Sequence, residues 1–111
     1  MTSTAARVLR VAAPARDDLR GVLEWSETVF GEEARARYEE LITRAISMLL
    51  ADPLSPGVHA RPELLTHAHF FHLKSVAQRT VRQPRHVLYF TFDESTLVLL
   101  RVLHERQDPQ A

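Results

Sequence analysis

The stretch 87–109, VLYFTFDESTLVLLRVLHERQDP, constrains the fold of this chain more than any other. Two apolar segments flank the polar tetrapeptide Asp93-Glu94-Ser95-Thr96, and the second runs without a break into a charged cluster. Apolar segments rich in β-branched and aromatic residues, separated by a short polar turn, predict a β-hairpin. Its polar end, residues 101–108, marks where a buried strand emerges at the surface. That end is the first place to look for a working edge.

The segments upstream supply what packs on this hairpin. Residues 7–13 alternate well enough for a short strand. Pro14 suits the first turn of a helix, where its missing N–H costs nothing. Leu19, Val22, Leu23, Ser26, Val29 and Phe30 then recur at helical spacing. Asp17 and Asp18 are favourable near the positive end of that helix. Gly31 can take the left-handed conformation that closes it, giving a helix over about 14–30. Tyr38, Leu41, Ile42, Ala45, Ile46 and Leu49 form the apolar stripe of a second helix that Pro53 stops. So short a link predicts an antiparallel helical hairpin, each stripe hidden against something apolar.

After a turn at 53–56, residues 57–62 are at best a short edge strand, because Pro62 cannot donate to a ladder. Residues 69–74 form another strand, and 75–84 a polar, basic surface loop containing Arg79 and Arg82. Residues 85–92 and 97–104 complete the closing hairpin. The order is β-α-α-β-β-β-β. It predicts one α+β domain over residues 1–111, a helical hairpin packed on one face of a small, mostly antiparallel sheet.

Composition narrows the function. The 111 residues suffice for one core without staples, and the absence of cysteine excludes a disulfide scaffold and thiolate metal sites. No stretch reaches the roughly 20 apolar residues of a membrane span. The first residues lack the apolar core of a signal peptide, so a cytoplasmic protein is expected. Lys and Arg number 14 against 14 Asp and Glu, so the net basic charge that marks nucleic-acid binding is missing. Residues 54–111 nevertheless hold seven Lys/Arg, five Asp/Glu and all six His, which leaves room for a local basic face.

No chemical site stands out. There is no Gly-x-Ser-x-Gly, and three glycines cannot make a phosphate-cradling loop. Glu32, Glu33, Glu39 and Glu40 fall on a helix exterior and read as a solvated face. His67 and His69, two apart, would share a strand face, yet His72 would point the other way and no third ligand has suitable spacing. No metal or cofactor is expected. Lys74, Arg79, Arg82, Arg85, Arg101 and Arg106 are either solubilising and ion-paired or a patch for an acidic partner or nucleic acid. Arg101 lies inside an apolar run and must reach an exposed face or a partner, such as Asp93 or Glu105.

Asp18-Leu19, Arg61-Pro62-Glu63-Leu64, Pro84-Arg85-His86-Val87-Leu88-Tyr89 and Arg101-Val-Leu-His-Glu-Arg-Gln-Asp108, in this element order, resemble the ParE branch of the RelE/ParE toxins. These are the toxic halves of bacterial type II toxin–antitoxin modules, and the resemblance spans nearly the whole chain. Its enzymatic branch implies mRNA cleavage on the ribosome by an Arg on the closing hairpin, a second Arg after the last strand and a Tyr near the C-terminus. Here His86 stands at the first Arg position, Glu105 at the second, and no Tyr follows Asp108. The ParE branch implies instead a non-enzymatic inhibitor of DNA gyrase, neutralised by a ParD-like antitoxin. The alternatives are a RelE-like ribonuclease built on Lys74, Arg85 and His86, and a relic of the fold that only binds antitoxin. Contact candidates for target or antitoxin are Arg85, His86, Arg101, His104, Glu105, Arg106 and Asp108, with residues 13–23 and the edge at 58–65 as further surfaces.

Overall fold

The structure is a computed structural model describing residues 6–63, 67–77, 81, 83–107 and 109. Strand β1 (Val8–Val11) leads into helix α1 (Ala13–Phe30), and helix α2 (Glu32–Ala51) follows after one residue. That residue, Gly31, has φ +97°, a left-handed backbone that glycine adopts without a Cβ penalty. Its N–H donates to the Glu27 carbonyl at 2.8 Å, so one residue ends α1 and turns the chain. Helix α2 ends a residue earlier than Pro53 alone would require. Asp52 is already extended (φ −147°, ψ 95°), as the residue before a proline prefers.

Strands β2 (Val58–Ala60), β3 (His69–His72), β4 (His86–Phe92) and β5 (Thr96–His104) complete one sheet in the spatial order β1-β5-β4-β3-β2. Strand β1 pairs parallel to β5, and all other pairs are antiparallel. The α+β helical hairpin on a mostly antiparallel sheet is therefore present, with β2 at an edge as Pro62 implied. Strand β3 is shorter than expected. It gives way at Leu73 to a single 3₁₀ turn (Leu73–Ser75), with His72 Nδ1 accepting from the Lys74 N–H at 3.1 Å.

Alternation on the strands sends Phe71, Leu88, Phe90, Leu97, Leu99 and Val102 into one core with Leu41, Ile42, Ala45 and Leu49 of α2. Each buried Val, Leu, Ile or Phe among them contributes about 1.5–3 kcal/mol. Val87, Tyr89 and Leu103, at the intervening positions, make a smaller cluster with Phe70 and Leu100. The closing turn is held by Asp93, whose Oδ1 accepts from the N–H groups of Ser95 and Thr96 at 2.9 and 2.8 Å. Those bonds hold its carboxyl below the usual range.

Two features of this frame position the site. The register of β4 on β5 slips between Tyr89 and Phe90, which oppose Arg101 and Leu99, so Leu100 is the extra residue of a bulge. In addition, β1 covers β5 only from Thr96 to Leu99, leaving the outer edge of β5 beyond Leu99 without a strand partner among the described residues. Helix α1 takes that place. Asp18 accepts from the Val102 N–H at 2.9 Å and from the Arg101 guanidinium through Nε at 2.7 Å and Nη2 at 3.0 Å. Arg101 thus does pair, but with Asp18 rather than Asp93 or Glu105. The stripe of α1 also differs from expectation: Val22 and Ser26 are buried, whereas Val29 and Phe30 are 51% and 65% exposed. Phe30 borders an open cleft instead of the packed sheet. No helix among the described residues is long and apolar enough to cross a membrane.

Candidate functional site

At one end of the sheet β4 begins and β5 finishes, with His86 opposite His104. His86 shares the alternation of Leu88 and Phe90, so its ring faces the helices. It is 8% exposed, and its Nδ1 lies 2.7 Å from the hydroxyl of Tyr38 on α2. Burial, then the neighbouring His104 and His72, pulls the His86 pKa down to about 4. Burial likewise pushes the Tyr38 phenol up to about 12. At neutral pH a neutral imidazole and a neutral phenol share one hydrogen bond.

Glu105 organises the neighbouring rim. It accepts from His72 Nε2 at 2.8 Å and from Arg85 Nη1 at 2.9 Å. Because His72 Nδ1 already accepts from the Lys74 N–H, its proton sits on Nε2 and points at the carboxylate. These two donors, His72 foremost, hold the Glu105 pKa down at about 2. Backbone bonds from Arg106 N–H to His104 Nδ1 and from His104 N–H to Gln107 Oε1 fix the turn that follows.

Beside this cluster lies a cleft of about 560 Å³. Helix α1 contributes Trp25 and Phe30, helix α2 Arg37 and Tyr38, and the closing strands His86 and His104. Trp25 and Phe30 meet edge to face, with ring centres 5.5 Å apart. None of the described residues lining the cleft is acidic.

Of the contact candidates, Arg85, His86, His104 and Glu105 come together here. Arg101 does not line the cleft and is held by Asp18, Arg106 is exposed, and Asp108 lies outside the described residues, as do Leu64 and Leu65 of the second candidate edge. Arg79 and Arg82 of the basic loop lie there too. The shared strand face of His67 and His69 is not formed. His67 sits in a turn at φ 68°, its carbonyl 2.8 Å from His69 Nδ1. No group of three potential metal ligands exists among the described residues. Sequence reasoning missed Tyr38 and His72 as partners and Trp25, Phe30 and Arg37 as cleft walls. Tyr38 counted as an apolar stripe position. Its hydroxyl, which needs a partner when buried, was the signal available.

The family model of the ParE toxin of type II toxin–antitoxin system, parDE, matches residues 9–109. A comparison with curated proteins gave no match. Among solved structures, the chain is similar to one described as the chromosomal ParDE TA system from P. aeruginosa. The TM-score is 0.65 at 14% sequence identity, over 89% of this chain and 96% of that one. At that identity the likeness is one of fold. The family match covers almost the whole chain, and the chain belongs to the ParE toxin family of type II toxin–antitoxin systems.

Proposed function

We propose that this chain is the toxin of a type II module, that it acts without catalysis by binding DNA gyrase, and that a ParD-like antitoxin neutralises it. The observation that carries the non-enzymatic reading is the charge at the two positions where the enzymatic branch has arginines. One holds His86, neutral, buried and bonded to Tyr38. The other holds Glu105, an anion tied to His72 and Arg85. Phosphodiester cleavage needs cations where negative charge develops on the phosphorane. Here a carboxylate occupies one position and offsets Arg85, the guanidinium bonded to it.

Expression in a bacterial host tests the reading. Growth arrest is expected, relieved by co-expression of the antitoxin encoded beside the toxin. His86→Ala should leave toxicity intact wherever the variant folds. Loss of toxicity in a folded His86→Ala or Arg85→Ala variant, together with mRNA cleavage on ribosomes by the wild-type chain, would favour the ribonuclease instead, and normal growth with soluble, folded wild-type chain would favour a relic that only binds antitoxin.

A further inference from the structure

The lining of the cleft is not that of a groove for an amphipathic helix, which is hydrophobic along its length. Among the described residues, aliphatic and small apolar side chains contribute only Ala34, Val81 and Pro84. Trp25, Phe30, Tyr38, His86 and His104 instead supply five rings, and Arg37 and Arg85 two guanidinium groups. Trp25 and Phe30 are 53% and 65% exposed, so their mutual edge-to-face contact orders the rings and leaves aromatic surface open. Arg37 is available as a cation: its carboxylate neighbour, Glu33, is 3.9 Å away and 95% exposed. Arg85 is anchored by Glu105 and Gln83.

We propose that this cleft binds a free mononucleotide, its base against the Trp25–Phe30 pair and its phosphate toward Arg37. Planar rings with a guanidinium beside them recognise a heteroaromatic anion by stacking and charge. The volume lies within the range of small-molecule sites. A net charge of zero over the chain gives no extended positive field for a polyanionic strand, which favours the monomer. Tyr38 and His86 are bonded to each other, so the cleft binds the nucleotide without turning it over. The inference is independent of gyrase inhibition and needs no measurement of toxicity.

Trp25 is the single tryptophan of the chain, so its fluorescence reports this cleft alone. Titration of the purified protein with GMP or AMP is expected to quench it saturably, half-maximally at about 0.1–1 mM. Guanosine and ribose 5-phosphate, each lacking half of the recognised chemistry, should bind about tenfold more weakly. Arg37→Glu should weaken GMP about tenfold while keeping the wild-type melting temperature; Phe30→Ala, which retains Trp25, should also weaken it. Absence of saturable quenching up to about 10 mM, unchanged GMP affinity in both variants, or tighter binding of a single-stranded oligonucleotide than of GMP would each overturn the proposal.

Discussion

Asp18→Ala is expected to destabilise the folded chain by about 2–3 kcal/mol. The carboxylate accepts three hydrogen bonds from β5, and its own side chain is only 14% exposed. Truncation leaves the Val102 N–H without its acceptor on an edge that no strand of the described residues covers. It also leaves the Arg101 guanidinium alone. That group is 38% exposed and can recover part of its hydration, which places the cost below that of a fully buried pair. Asp18→Asn, which can still accept from Val102, should cost about half as much. Urea unfolding of Asp18→Ala, Arg101→Ala and the double variant measures the coupling, expected at about 1–2 kcal/mol. Coupling near zero would mean that the bidentate contact holds nothing together.

Acid should weaken the fold in a defined window. His86 has a pKa of about 4 in the folded chain and 6.5 as a free side chain, so the unfolded chain binds the extra proton between those values. Stability is therefore complete above about pH 6.5 and falls as the pH drops toward 4, by about 3 kcal/mol in total. Glu105 acts lower down. Its folded pKa of about 2 lies below the free value of 4.5, so its contribution is present above 4.5 and is lost only on further acidification. Melting curves between pH 7 and 4.5 thus separate the histidine from Glu105. His86→Gln should be less stable at pH 7, through the lost Tyr38 contact, but should show a flatter slope over that interval. An equally steep slope in the variant would assign the titration to another group.

The element order was legible because its punctuation is local. Pro14, Gly31 and the polar tetrapeptide at 93–96 each act within one turn of the chain. The partner of Arg101 was not legible, since Asp18 lies 83 residues away. Which carboxylate reaches Arg101 depends on β1 pairing parallel to β5 and stopping at Leu99. The bulge was hidden for a different reason. The segments 87–92 and 97–103 are apolar at nearly every position, so a slip of one residue changes no visible pattern. The site itself was half visible. Arg85, His86, His104 and Glu105 are near one another in the closing hairpin, but Tyr38, His72, Trp25 and Arg37 arrive from other elements through tertiary packing. The same packing decides that His86 is neutral and Glu105 strongly acidic, which no reading of residue types alone provides.

The central claim, a ParE toxin that inhibits gyrase without catalysis, is tested most directly with two parallel assays on one purified preparation. The chain should inhibit ATP-dependent supercoiling by DNA gyrase, lose that inhibition when the antitoxin is added, and leave mRNA intact on translating ribosomes. Uninhibited supercoiling together with ribosome-dependent mRNA cleavage would contradict the account.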